Sequence, residues 1–195
     1  MYKKDFKVMF LGSSGIGAKT SLIKNIINHS FTENTIATFT CAYVQKSINT
    51  PLGEITLNLL DTPGQRSYHS FIKLFFKDTD CFKIGFDITM RSSFNEVEYL
   101  YKLIKEQREN IPLLYLVGNK SDLFEKRNVS EEEAEEYAKE KKIKYFEVSA
   151  KTGVNVDALI NDIANSLIQN NKKEHKQDIT NNINKANMKK KCLIF

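Results

Sequence analysis

Short runs of apolar, β-branched and aromatic residues alternate along the chain with segments whose apolar positions recur at helical spacing. Lys7–Leu11, Ala42–Ile48, Ile55–Leu60, Phe82–Ile88, Leu113–Val117 and Tyr145–Val148 read as strands. Helical periods fall at about 19–28, 67–77, 93–108, 130–141 and 155–169. In the last of these, Val156, Leu159, Ile160, Ile163, Ala164 and Leu167 share one face. Ser130 and Glu133 form the capping-box pair that opens a helix. Pro51–Gly53 is a turn signal between the second and third strands, which predicts a hairpin. Every other strand leads into a helix. The pattern therefore predicts an α/β fold, a six-stranded, mostly parallel sheet with five helices on both faces. From about Asn170 the periodicity stops, and Asn and Lys dominate. The expected organisation is a folded domain over 1–169 and a flexible tail over 170–195, with a short continuation of the fifth helix as the alternative.

Composition narrows the class. With 195 residues, 41% hydrophobic and 27% charged, the chain fits one soluble domain plus a tail and is too apolar for a disordered protein. No apolar run approaches the roughly 18 residues of a membrane span, and the run inside MYKKDFKVMFLG is too short for a signal-peptide core. Cys41, Cys81 and Cys192 are far apart, which favours a reducing, cytosolic compartment over a disulfide framework or a zinc site. Charge is unevenly placed. The tail carries seven lysines against two acids, which accounts for the entire formal net charge of +5 and leaves the body neutral. A neutral body argues against a nucleic-acid groove, and a basic tail suits an anionic membrane surface.

Three motifs carry chemistry. Gly12-Ser-Ser-Gly-Ile-Gly-Ala-Lys-Thr20 follows the first strand and opens a helix. Glycines allow backbone N–H groups to turn inward around phosphates, and the helix N-terminus adds positive potential. The candidate phosphate-binding residues are Ser14, Gly15, Ile16, Gly17, Ala18, Lys19, Thr20 and Ser21, with Lys19 on the β/γ oxygens and Thr20 on Mg²⁺. Compared with G-x-x-x-x-G-K-[ST], Ala18 is one residue too many. The second motif is Asn119-Lys-Ser-Asp122, after the strand Leu113–Val117. The Asp122 carboxylate can accept from both N1–H and N2–H of guanine, a pair of donors adenine lacks. Asn119 would brace the phosphate loop, and the Lys120 stem would lie along the base. Downstream, Ser149-Ala150-Lys151 ends another strand and would offer the Ala150 amide to guanine O6. The third is Asp61-Thr-Pro-Gly64-Gln65. Asp61 would hold Mg²⁺ through water, the Gly64 amide would sense the γ-phosphate, and Gln65 would orient the attacking water.

Over roughly residues 5–169 these motifs, in this order, resemble those of a Ras-superfamily small GTPase, most like the Rab branch. Ser14, the strand end Phe86-Asp87-Ile88-Thr89 and the short Asp122–Ser130 link add to the resemblance. It implies the P-loop NTPase fold of small GTPases, bound GTP or GDP with Mg²⁺, and hydrolysis to GDP, which is expected to be slow here because Pro63 is in tension with positioning of the water. It also implies partners at the switch regions: effectors, exchange proteins and activating proteins. The chain would act as a monomeric switch in vesicle trafficking or signalling on the cytoplasmic face of membranes, cycling with the cytosol. The family places its switch threonine 18 residues after the loop Ser/Thr, which is Thr38, and counting back from Asp61 gives the same residue; Thr35, the competitor, fits neither count. Phe31 stands where the family has an aromatic edge against the base.

Several positions depart from the family pattern. A residue added before Lys19 turns it by about 100° on a regular helix, so either a bulge absorbs the shift or the lysine misses the phosphates. Pro63 stands in place of alanine, Arg66 in place of an acid, and Leu60 in place of tryptophan, and Thr38-Phe-Thr-Cys-Ala-Tyr43 barely resembles the Rab effector strand. Lys83 interrupts an otherwise apolar strand and has no explanation in the pattern, a snorkelling stem being one accommodation. The end, Met188-Lys-Lys-Lys-Cys-Leu-Ile-Phe195, is a prenylation signal at Cys192 that favours geranylgeranyl, with Lys185 and Lys189–Lys191 as the second, electrostatic anchor. The competing readings are a prenylated pseudo-GTPase that does not cycle, favoured by Ala18 and Pro63, and an ATP-using P-loop enzyme, disfavoured by the two guanine motifs.

Overall fold

The structure, a computed structural model, describes residues 4–33, 38–108 and 113–173. Among the described residues the chain runs β1 (Asp5–Gly12), α1 (Thr20–Asn28), β2 (Ala42–Thr50), β3 (Gly53–Asp61), α2 (His69–Ile72), β4 (Cys81–Asp87), α3 (Arg91–Gln107), β5 (Leu114–Asn119), α4 (Glu131–Lys141), β6 (Lys144–Val148) and α5 (156–173). The six strands lie in the order β2-β3-β1-β4-β5-β6. β2 and β3 form the expected antiparallel hairpin, and every other neighbouring pair is parallel.

Strand periodicity builds the two faces. Phe6, Val8 and Phe10 of β1 join the core under α1 and α5, whereas Met9 and Leu11 join the core under α3 and α4. β5 repeats the split, with Tyr115 and Val117 on the first face and Leu114 and Leu116 on the second. A parallel sheet covered on both sides needs such continuous apolar strands. It also places the C-terminal ends of β1, β3, β4, β5 and β6 along one edge, where the loops of an open α/β sheet bind ligands.

Two elements differ from the expected pattern. The helix expected over 67–77 is broken into 3₁₀ turns at Arg66–Tyr68 and Lys73–Phe75 around the four-residue α2. His69, Ile72 and Phe76 are buried while Phe71 and Leu74 stay exposed, so no long apolar stripe holds a continuous helix, and the Ser, His, Tyr and Phe of this stretch have modest helix propensity. α5 continues through residue 173, past Asn170. The tail's Cys192 and its neighbouring lysines lie outside the described residues, as does Thr35.

α4 shows how local chemistry can hold a helix with little burial. Only Ala134 and Ala138 are buried. The Ser130 hydroxyl accepts from the Glu133 amide at 3.1 Å, three glutamates occupy the first turn, and Lys139 and Lys141 occupy the last, all complementary to the helix dipole. Ser130→Ala is expected to cost about 1 kcal/mol, read as a lower urea midpoint with an unchanged m-value. A change below a few tenths would show that the cap does not hold this helix.

Candidate functional site

The loop between β1 and α1 is turned by two left-handed glycines, Gly15 (φ +76°) and Gly17 (φ +67°). Lys19 adopts φ −116° and ψ −88°, outside the main allowed regions, yet its carbonyl already accepts the first helical bond, from Ile23. The additional residue is therefore taken up before the helix, as a bulge. Ala18 is fully buried, and α1 starts at Thr20 with its first amides directed at the loop. The Lys19 ammonium folds back across the loop and donates to the carbonyls of Gly12 (2.7 Å) and Ser13 (2.6 Å). Burial lowers its pKa to about 8, against the opposing charge of Asp61.

Asp61, at the end of β3, faces Thr20 and Thr38. Its Oδ2 accepts from Thr20 Oγ1 at 2.7 Å and more distantly from Thr38 Oγ1 at 3.5 Å, and the two hydroxyls are 2.8 Å apart. Its other oxygen, Oδ1, is buried without a hydrogen-bond partner. Burial raises the Asp61 pKa against the Thr20 hydrogen bond and the Lys19 charge. The segment after Asp61 lies directly on the loop. A Cβ on Gly64 would stand 2.5 Å from the Ser14 nitrogen and 2.6 Å from Lys19 Nζ, so only glycine fits this contact. Pro63 is buried and Gln65 is exposed. Arg66 turns away from the loop to make a two-pronged pair with Glu96 of α3 (2.9 and 2.6 Å) and lies over the Tyr99 ring, 4.7 Å from its centroid.

The ends of β5 and β6 complete the site. Asn119 is buried, donates to the Ile16 carbonyl at 3.4 Å and accepts from the Ala150 amide at 3.0 Å. It thus joins the loop after β1 to the Ser149–Lys151 loop; the Ala150 amide, expected to face a base, is turned to Asn119 here. Asp122 Oδ1 accepts from Ser149 Oγ at 2.5 Å. Lys120 adopts a left-handed conformation (φ +68°) and pairs with Asp87 Oδ2 at 2.6 Å. Between these loops lies a cavity of about 210 Å³, lined by Phe31, Asn119, Lys120, Asp122, Ala150 and Lys151, with Gly15, Gly17 and Ser21 at its loop side. Phe31 is partly exposed at this cavity.

The Ras family model matches residues 7–169. Over 164 residues the chain is 35% identical to mouse (Mus musculus) Ras-related protein Rab-17, an alignment that spans 84% of this chain and 76% of the relative. The chain belongs to the Ras family. It is a divergent, Rab-like member of a family of GTPases that bind GTP, GDP and Mg²⁺. The donor set around Asp61 suits such an ion: a carboxylate oxygen with no partner and two hydroxyls are the hard oxygen ligands Mg²⁺ takes. Among the described residues there is no cluster of three His, Cys, Asp or Glu side chains that would hold a softer metal, and no helix is long and apolar enough to cross a membrane.

Sequence reasoning had no place for Lys83. Snorkelling is overturned: the side chain is fully buried and its amine donates to the Ala18 carbonyl. Asp87, the partner of Lys120, and Asn25, which donates to the Ala150 carbonyl at 3.1 Å, were also missed, because neither pairing leaves a local signal.

The Gly64 contact yields a prediction. In Gly64→Ala the new methyl meets backbone and must displace the segment from the loop. Tryptic cleavage after Arg66 is expected to accelerate several-fold with only a small drop in thermal midpoint. Unchanged cleavage would show that the contact does not hold the segment.

Proposed function

We propose that the chain is a guanine-nucleotide-dependent, membrane-associated switch of the Rab type that hydrolyses GTP to GDP. The observation that carries this reading is Asn119: one buried side chain bonds both the phosphate loop and the Ser149–Lys151 loop, so a base at Asp122 and a phosphate chain at Gly15–Thr20 would share one continuous cavity. In this reading Asp122 recognises the N1 and N2 donors of guanine, and the Lys120 stem and Phe31 cover its faces. Ala150, with Ser149 and Lys151, forms the wall at O6.

The phosphates would lie against the amides from Ser14 to Ser21, with the Lys19 ammonium exchanging its carbonyl partners for β- and γ-oxygens in a charge-assisted contact. Thr20 and Thr38 would ligate Mg²⁺ and Asp61 would hold it through water; the ion, when bound, supplies neutralisation of charge on the β- and γ-oxygens. The Gly64 amide would meet the γ-phosphate, and Gln65, exposed beside it, would turn inward to orient the attacking water. Exchange proteins, activating proteins and effectors would act on the segments around Thr38 and Gln65, where Phe39, Tyr43, Phe71 and Leu74 are exposed. Attachment to the cytoplasmic face of a membrane would come from a geranylgeranyl group on Cys192 together with the lysine-rich tail. Nucleic acid has no place among these partners, and the neutral charge of the body argues against it.

Two outcomes test it. Asp122→Asn places an amide donor opposite the donors of guanine and is expected to shift preference from GDP to XDP, whose 2-oxo group accepts; competition binding with GDP, XDP and ADP checks this, and equal competition by ADP against wild type would sink the guanine assignment. Gln65→Leu is expected to lower single-turnover GTP hydrolysis by at least about tenfold while GDP affinity stays within twofold of wild type. If wild type binds GTP with Mg²⁺ and Gln65→Leu leaves hydrolysis unchanged, Gln65 does not position the water. If wild type binds without turning over, the chain is a non-cycling module.

A further inference from the structure

Lys83 is placed by strand alternation. It lies on the β4 face that looks toward α1, opposite Phe10 in the β1–β4 register, where the neighbouring core is apolar. Its amine reaches the top of the sheet, 5.4 Å from the Phe10 ring centroid, and donates to the carbonyl of Ala18. Two residues on, Gly85 provides the clearance. A Cβ there would run into the Lys83 amine and come within 2.7 Å of the Ala18 Cβ and 3.3 Å of the Ala18 oxygen. Gly85 in turn lies opposite Gly12, the first loop glycine, where a Cβ would be 2.5 Å from the Gly85 oxygen. Thus the additional loop residue, the misplaced lysine and a glycine in a buried strand all meet at one point. Each is unfavourable alone: a buried amine, a bulged loop, a strand position without a side chain. Burial, reinforced by the charge of Lys19, drives the Lys83 pKa well below the ordinary lysine value, which suits an amine that serves as a hydrogen-bond donor rather than as a charge.

We propose that Lys83 is a positioning residue for nucleotide binding: from within the sheet it holds the carbonyl of Ala18, fixing the bulge so that Lys19 and Thr20 face the phosphates and the metal, with Gly85 as the space this brace requires. The inference rests on the guanine-nucleotide reading and adds a residue to it. Lys83 touches neither nucleotide nor metal in this scheme. It acts through one backbone oxygen, that of the additional loop residue.

The test is a double-mutant cycle on the full chain loaded with a fluorescent GDP and Mg²⁺, comparing wild type, Lys83→Met, deletion of Ala18 and the two together. Methionine keeps the length and removes the donor. Lys83→Met is expected to speed GDP release by about tenfold in the native loop and by less than about twofold once Ala18 is deleted, a coupling typical of groups in direct contact. Gly85→Ala, a second and smaller change, is expected to behave in the same way: faster release in the native loop, rescued by deleting Ala18. Equal acceleration with and without Ala18 would reveal a general packing role and overturn the brace, and so would no acceleration in either background. If wild type fails to retain guanine nucleotide, it is the functional reading that fails. The same cycle is then read in urea unfolding of the nucleotide-free chain, where non-additivity of the two changes supports the brace and additivity overturns it.

Discussion

The site depends on a single buried amide. Asn119 ends β5, and its side chain spans the gap between the loop after β1 and the loop after β6, donating to Ile16 and accepting from Ala150. Those loops belong to strands that are not neighbours in the sheet, so the sheet alone does not fix their separation. An amide can do so because it carries a donor and an acceptor in a rigid plane. Both partners are buried backbone groups. Losing the side chain would leave each unsatisfied, at roughly 1–3 kcal/mol apiece. Asn25, from α1, reinforces the same junction through the Ala150 carbonyl. A cavity between loops that would otherwise drift apart is thereby held open in one shape.

Around that junction the charges are distributed by distance from water. Lys19 and Asp61, buried and near each other, are both shifted toward their neutral forms by burial and drawn back by their mutual attraction. A site of this kind favours a ligand that brings its own negative charge together with a cation, since these complete the two half-satisfied groups. At the surface the pairing is of another kind. Arg66 and Glu96 tie the segment after Gln65 to α3, with Tyr99 beneath the guanidinium. Arg66 is largely exposed, so this pair contributes little to global stability. Its consequence is local: it fastens the segment after Gln65 to α3.

The legibility of the chain varied with the range of each interaction. The apolar runs of β1 and β5, the helical period of α5, the turn at Pro51–Gly53 and the cap at Ser130 are local signals, and the folded chain repeats them. The motif loops were also legible, because the strand-to-loop context marks where a parallel sheet exposes its C-terminal edge. The region over 67–77 read as one helix and folded as three short pieces, since its apolar residues divide between core and surface in a way only packing decides.

The sequence by itself determined the layered α/β fold, the order of its strands and helices, and the presence of a candidate phosphate loop and two candidate base-reading loops, since periodicity, turn residues and short motifs all act within a few neighbours along the chain. It also displayed an anomaly at Ala18 and another at Lys83 without connecting them. Tertiary structure alone decided that these two residues, 65 positions apart, share a hydrogen bond. It likewise decided that Gly85 clears the space for it and that Lys19 is turned back across the loop mouth. The physical reason is that a buried donor must find its acceptor in three dimensions. Which acceptor lies within reach depends on the register of β4 against β1, a pairing that no local pattern in either strand specifies.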